Sequence, residues 1–242
     1  MNAAERLLVA ALGEVLGELD WELLGRASCD GDGTPFFDAA LRGRVLDTGL
    51  VLAGDLFEAL GDTQHASLYL GAEVAELPPM LAESLVLGRR VEWLNLDGPI
   101  PRELARALAA VQSRLGIELP TPKFCDLADV APRSCDHLWI VSVLTDPDHF
   151  PALHDELYGR SGGRLATGRG DLGDDRARAG RLVDALLDRA TPTSVLTTTD
   201  EERTILEPLV ARRGGSLEFA PGGRVSAVVG DLIRIGTLRL GR

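Results

Sequence analysis

Ser194-Val195-Leu196-Thr197-Thr198, followed by Thr199-Asp200-Glu201-Glu202, decides how this chain folds. The first five residues read as a buried strand. Thr199 to Glu202 is a capping-box pattern, in which a Thr hydroxyl and a Glu carboxylate three residues on satisfy opposite donors of a first helical turn. It opens an amphipathic helix over residues 200–213, which Gly214-Gly215 ends. Residues 216–220 and 225–240 then read as a closing antiparallel pair of strands. Upstream, strands alternate with helices, and a right-handed crossover must carry the chain back each time, so that part of the sheet is parallel. Parallel units that finish in a hairpin separate one α/β class from the rest.

Working back from this end, residues 137–144 (His-Leu-Trp-Ile-Val-Ser-Val-Leu) form the strongest strand signal, a continuous apolar run suited to a central strand covered on both faces. Residues 67–71 (Ser-Leu-Tyr-Leu-Gly), 90–96 and 122–125 read as the first three strands. Helices are expected over 76–87, 101–115, 151–158 and 175–189. Pro78 and Pro79 fit the first of these because amides in a first turn have no intrahelical partner. Leu104, Leu108, Val111 and Leu115 share one face of the second, with Gly116 as its cap. Residues 159–174, rich in Gly, Arg and Asp, read as a mobile loop or lid. At the start, Leu8, Leu12, Val15, Leu16, Leu19, Leu23 and Leu24 recur at helical spacing. After the turn cluster of residues 30–35, the apolar positions from Phe36 to Leu60 suggest two more helices. Residues 1–64 thus form a helical lobe and residues 65–242 an α/β domain.

With 242 residues, 45% of them hydrophobic and 26% charged, the chain has the composition of a globular protein. The net charge of −12 without a Lys/Arg run argues against nucleic acid, since phosphate binding needs a basic surface. A small molecule or a protein partner fits better. Cys29, Cys125 and Cys135 lie outside CxxC spacing, so neither a zinc site nor a disulfide framework is expected. Asp30-Gly31-Asp32-Gly33 lacks the later ligands of a calcium loop and reads as a plain turn. The N-terminus is unlike a signal peptide, and no apolar run reaches the roughly 20 residues that span a bilayer. No membrane and a reducing cytoplasm are the resulting expectations, and a homodimer is left open. GxGxxG, GxxxxGK[ST] and GxSxG are absent, which argues against dinucleotide, P-loop and nucleophile-elbow chemistry.

Taken together, the element order resembles that of the class I S-adenosylmethionine (SAM) methyltransferases over roughly residues 65–242. The resemblance implies a Rossmann-like, mostly parallel sheet with a C-terminal antiparallel hairpin, and SAM as co-substrate. It also implies that the loop after the first strand, Gly71-Ala72-Glu73-Val74-Ala75, lies under the methionine part of SAM. An acidic residue ending the second strand would hold the ribose, which makes Asp97 the candidate, ahead of Asn95 and Glu92. Asp126, with Leu127 beside it, would meet the adenine. The segment from Thr145 through Asp146-Pro147-Asp148-His149-Phe150 would face the substrate. The family's loop carries two or three glycines, whereas this one has Gly71 alone, with Glu73 in the place of another. A carboxylate there repels the carboxylate of SAM, or instead holds its ammonium group. Residues 71–78 are also similar to the Gly-then-Leu-Pro loop of nicotianamine synthase-like enzymes, which transfer the aminocarboxypropyl arm of SAM.

The site read from these residues has His149 as general base with Asp148 beside it, since an imidazole titrates near neutrality. Tyr158 lines the lid. The expected function is transfer from SAM to a small-molecule acceptor, most simply of methyl by in-line displacement. Two alternatives accompany it: aminocarboxypropyl transfer or SAM cyclisation, and a non-catalytic methyltransferase-like scaffold or partner subunit. The helical lobe would cover the substrate.

Overall fold

The structure is a computed structural model that describes residues 2–28, 36–61, 65–160 and 166–241. Cys29, the turn at 30–35 and residues 161–165 of the expected lid lie outside the described residues. The helices are α1 (Ala3–Glu18), α2 (Trp21–Ser28), α3 (Ala39–Leu60), α4 (Leu77–Leu85), α5 (Pro99–Leu115), α6 (Pro151–Leu157), α7 (Leu172–Leu187) and α8 (Asp200–Arg212). The strands are β1 (Ala66–Leu70), β2 (Arg90–Asn95), β3 (Lys123–Phe124), β4 (Cys135–Ile140), β5 (Ala190–Thr199), β6 (Ser216–Phe219), β7 (Arg224–Val225) and β8 (Leu232–Arg239).

The strands lie in the order β3-β2-β1-β4-β5-β8-β6, with β7 also on β8. β1 to β5 pair in parallel, and β8 runs antiparallel to both β5 and β6. The sheet is Rossmann-like, mostly parallel with its last strand reversed. Strand order reverses between β1 and β4, so ligand binding is expected beyond their carboxyl ends.

Alternation along the strands feeds two cores. Tyr69, Trp93 and Trp139 face α1, α3, α4 and α5. Leu68, Leu94, Leu138, Ile140 and Leu196 face α6, α7 and α8. All six residues of β4 are buried, as a doubly covered strand requires. On the first side α3 lies so close to α4 that a Cβ on Gly49 would come within 2.5 Å of Pro78 Cγ.

A polar network is sealed beneath α4. Glu83 accepts hydrogen bonds from Ser67 and Tyr69, and it pairs with Arg89 Nε at 3.1 Å and His137 Nδ1 at 2.8 Å. Arg89 also pairs with Asp136. Burial pushes the Glu83 carboxyl up, but the attraction of His137 and the donated hydrogen bonds outweigh it and hold it below its ordinary range.

Three expectations are corrected. The apolar run 137–144 leaves the sheet after Ile140. Ser142 takes a left-handed φ of 59°, and the Leu144 amide donates to Glu202 instead of a neighbouring strand. Residues 225–240 are two strands, separated by a turn in which Ser226 N–H donates to the Asp231 carbonyl. The apolar positions from Leu41 to Leu60 form a single helix, α3, capped by Asp38, which accepts from Leu41 N–H, while Phe36 and Phe37 precede it.

Candidate functional site

The loop after β1 sets the geometry. Gly71 has φ 66°, and a Cβ there would stand 2.7 Å from Val143 Cγ2, so only glycine fits between the ends of β1 and β4. Its N–H donates to Leu94 O at 2.9 Å. The Ala72 carbonyl accepts from both Trp93 Nε1 (3.0 Å) and Asn95 Nδ2 (2.8 Å), which ties the loop to the end of β2. Asn95 therefore works on the loop itself.

Glu73 and Glu76 follow in a 3-10 turn over Val74–Glu76. Glu73 N–H donates to Glu76 Oε2 at 2.8 Å. Burial, then the charges of Glu76 and Asp146, raise the Glu73 carboxyl to about 8. Burial raises Glu76 to about 7, against the pull of two backbone hydrogen bonds. The start of α4 offers little to an anion, because Pro78 and Pro79 have no N–H and the nearby Glu73 amide is already used. A negative group is disfavoured here and a positive one favoured.

Beyond β4, Tyr158 donates to Asp231 Oδ2 at 2.5 Å, and Ser142 Oγ donates to the same oxygen at 3.3 Å. Asp231 is 6% exposed. Burial and the bond to Asp231 push the Tyr158 phenol well up, so it remains a proton donor. Thr145 is buried, and its carbonyl accepts from His154 Nδ1 at 2.6 Å. Glu202 is buried at the head of α8. It accepts from Leu144 N–H and Thr198 Oγ1, and burial raises its carboxyl to about 7. A cavity of about 10 Å³ beside Glu76 is lined also by Ala75, Ser226, Ala227 and Ile233, and Ser226 N–H donates to the Asp231 carbonyl.

Of the residues singled out by sequence, Gly71, Ala72, Glu73, Thr145 and Tyr158 lie along the carboxyl ends of β1 and β4 and in the adjoining segments. Asp97 stands two residues past β2, exposed and clasped by Arg102 through two 2.6 Å bonds that hold its carboxyl below its ordinary range. Asp126 is exposed and accepts from Ala128 N–H, capping a short turn. Leu127 is a core residue whose carbonyl accepts from Arg189. Asp148 and His149 do not enter the cleft. Both are exposed on a turn folded over Asp146, with Asp148 paired to Arg169 and His149 Nδ1 3.1 Å from Asp146 Oδ2. Their position follows from the Asp146 carboxylate, which collects the turn's amides and draws the imidazole outward.

Ser142, Glu201 and Asp231 were not singled out. Gly230-Asp231 interrupting an apolar stretch is a turn signal that marks Asp231. The capping box marks Glu202, and Glu201 stands beside it.

No protein-family model matches the sequence, and no curated protein matches it. Among solved structures, the methyltransferase domain of bacterial CtHen1-C is similar over 82% of this chain and 99% of that one, at 13% identity and a TM-score of 0.48. Precorrin-6y C5,15-methyltransferase of Geobacter metallireducens is similar over 79% and 87%, at 14% identity and 0.45. TYW2 of P. horikoshii, in complex with MeSAdo, is similar over 80% and 61%, at 9% identity and 0.46. The chain therefore spans about three fifths of the TYW2 chain. At these values the likeness is one of chain path and assigns no ligand or activity.

Proposed function

We propose that the protein transfers a group, most simply methyl, from SAM to a small-molecule acceptor. The observation that carries this reading is the acidic loop, which has no cationic partner among the described residues, at the switch point of a sheet whose last strand is reversed. Glu73 sits on that loop, close enough to feel the charges of Glu76 and Asp146. SAM fits this charge pattern through its cationic end. When bound, it supplies an activated methyl carbon on a sulfonium, which an acceptor nucleophile takes in line as the thioether leaves.

The chain's own part is positioning and charge complementarity. Gly71 keeps the loop tight enough for close approach. Glu73 faces the positive charge and gives up its proton as that charge arrives. Asp97 takes the ribose by exchanging one oxygen from Arg102, and Asp126 lies on the adenine side. Tyr158 and Thr145 border the acceptor's end. The helical lobe of residues 1–64 serves as the cover, with Val45, Thr48 and Leu52 of α3 next to Glu76. His149 and Asp148, held on the surface turn, are placed at the mouth of the site rather than at the transferred group.

The test is incubation with SAM and mass-spectrometric analysis of the nucleoside product. S-adenosylhomocysteine supports methyl transfer. Methylthioadenosine would redirect the reading to aminocarboxypropyl transfer or cyclisation. Neither binding nor turnover of SAM would leave the scaffold reading.

A further inference from the structure

The outer face of α3 is open to solvent along its length. Ala40, Arg44, Asp47, Val51, Gly54 and Glu58 recur at alternating steps of four and three residues, and all of them are exposed. Such alternation is the 3.5-residue repeat with which one helix presents a seam to another. Leu50 and Val51, 40% and 45% exposed, stand at the middle of the helix on this side. Val225 and Val229 are exposed as well, on the segment that Arg224 ties to Asp55 of α3 through bonds of 2.7 and 3.0 Å.

The charges of this face are unmatched. Arg44, Asp47 and Glu58 have no hydrogen bond or ion pair among the described residues. The outer face of α1 makes the contrast. It too carries an exposed valine, Val9, with Gly13 and Gly17, but Arg106 and Arg114 already clasp the acids of that helix, Glu14 and Glu18. On α3, Arg44 and Glu58 lie equally far from Val51, two turns before it and two turns after, roughly 10 Å each way. A two-fold axis near Val51 sets each Arg44 opposite Glu58 of a second copy and brings Leu50 and Val51 of both copies together. In such an isologous pair every contact is made twice. Gly54 points the same way. A Cβ there would meet nothing within 4 Å, so packing inside the chain does not require glycine, which weakens an exposed helix interior. A second helix crossing at that point gives it a purpose, since the side chains at the contact set how closely two axes approach.

Asp47 and Glu58, on a chain of net charge −12, disfavour an anionic membrane or nucleic acid as the occupant. We propose that the outer face of α3 is a homodimer interface, in which two copies pack α3 antiparallel against α3, with Leu50 and Val51 at the centre and Arg44 paired to Glu58 at both ends. The inner face of the same helix, through Val45, Thr48 and Leu52, lines the cavity beside Glu76, so the dimer braces the helix over that cavity. The interface does not depend on what the site binds.

The experiment is sedimentation equilibrium of the full chain between about 1 and 100 μM. The wild type is expected to dimerise with a Kd of about 50 μM or tighter. Val51→Glu, Arg44→Glu and Glu58→Arg change exposed side chains and should leave the urea midpoint unchanged. Each should weaken dimerisation at least about tenfold, because the new like-charge contact or buried carboxylate occurs twice. Arg44→Glu combined with Glu58→Arg should return the Kd to within about threefold of the wild type. A wild type that stays monomeric at about 100 μM overturns the interface and leaves this face to a different protein. A dimer that survives Val51→Glu also overturns it, and a double reversal no tighter than the single ones refutes the antiparallel pairing.

Discussion

Replacing Glu73 by Gln should make the protein more stable, by an amount that grows with pH. Burial and the charges of Glu76 and Asp146 move the Glu73 carboxyl from an ordinary 4.5 to about 8 in the folded state. Below the lower value both folded and unfolded chains hold the proton, and the residue has no effect. As pH rises past it, the unfolded chain releases the proton and the folded chain keeps it. Folded stability then falls by about 1.4 kcal/mol per pH unit. The accumulated cost is roughly 3 kcal/mol near pH 7 and levels off at roughly 4–5 kcal/mol once pH passes the folded value. Gln has no proton to lose. Urea unfolding of the wild type and Glu73→Gln at about pH 5, 7 and 8.5 should show a small gap, then a gap of about 3 kcal/mol, then a larger one. A gap that stays constant with pH, or narrows, refutes the reasoning. The same variant should bind SAM more weakly, a trade of function for stability expected where a buried acid is kept for a ligand.

Arg89→Met leaves Glu83 and Asp136 buried without their guanidinium, and unfolding free energy should drop by about 3–5 kcal/mol in urea titration. Gly71→Ala places a Cβ 2.7 Å from Val143 in a left-handed conformation, so a loss of at least about 1–2 kcal/mol is expected, together with weakened SAM binding by calorimetry. Thr199→Ala removes the capping hydroxyl that accepts from Glu202 N–H at 3.2 Å and should cost about 1 kcal/mol, read as a lower Tm.

Most of the sheet was legible because its strands are short apolar runs closed by Gly, Asp or a capping box. Residues 67–71, 90–96 and 194–198 announce themselves in this way. What misled was apolar continuity. Residues 137–144 look like one strand, yet Ser142 turns out of the sheet because Glu202, nearly 60 residues away, offers its carboxylate to the Leu144 amide. Likewise Val225 and Leu232 belong to one apolar stretch that a turn at 226–231 splits. Gly71, Glu73, Thr145 and Tyr158 could be picked out because they sit next to strand or helix ends, and the structure brings them to the carboxyl edge of the sheet or the segments adjoining it. Asp231 could not, because its partners Ser142 and Tyr158 lie 89 and 73 residues before it in the chain. His149 and Asp148 look catalytic in one dimension, but the Asp146 carboxylate three and two residues before them holds their turn at the surface.

The most direct single measurement is calorimetric titration of the full chain with S-adenosylhomocysteine near neutral pH. The expected result is saturable binding with a Kd of about micromolar or tighter, equivalent to roughly −8 kcal/mol, and weakened by substitution of Asp97 or Asp126. No binding even at about millimolar ligand would contradict the claim that the carboxyl edge of this sheet holds SAM.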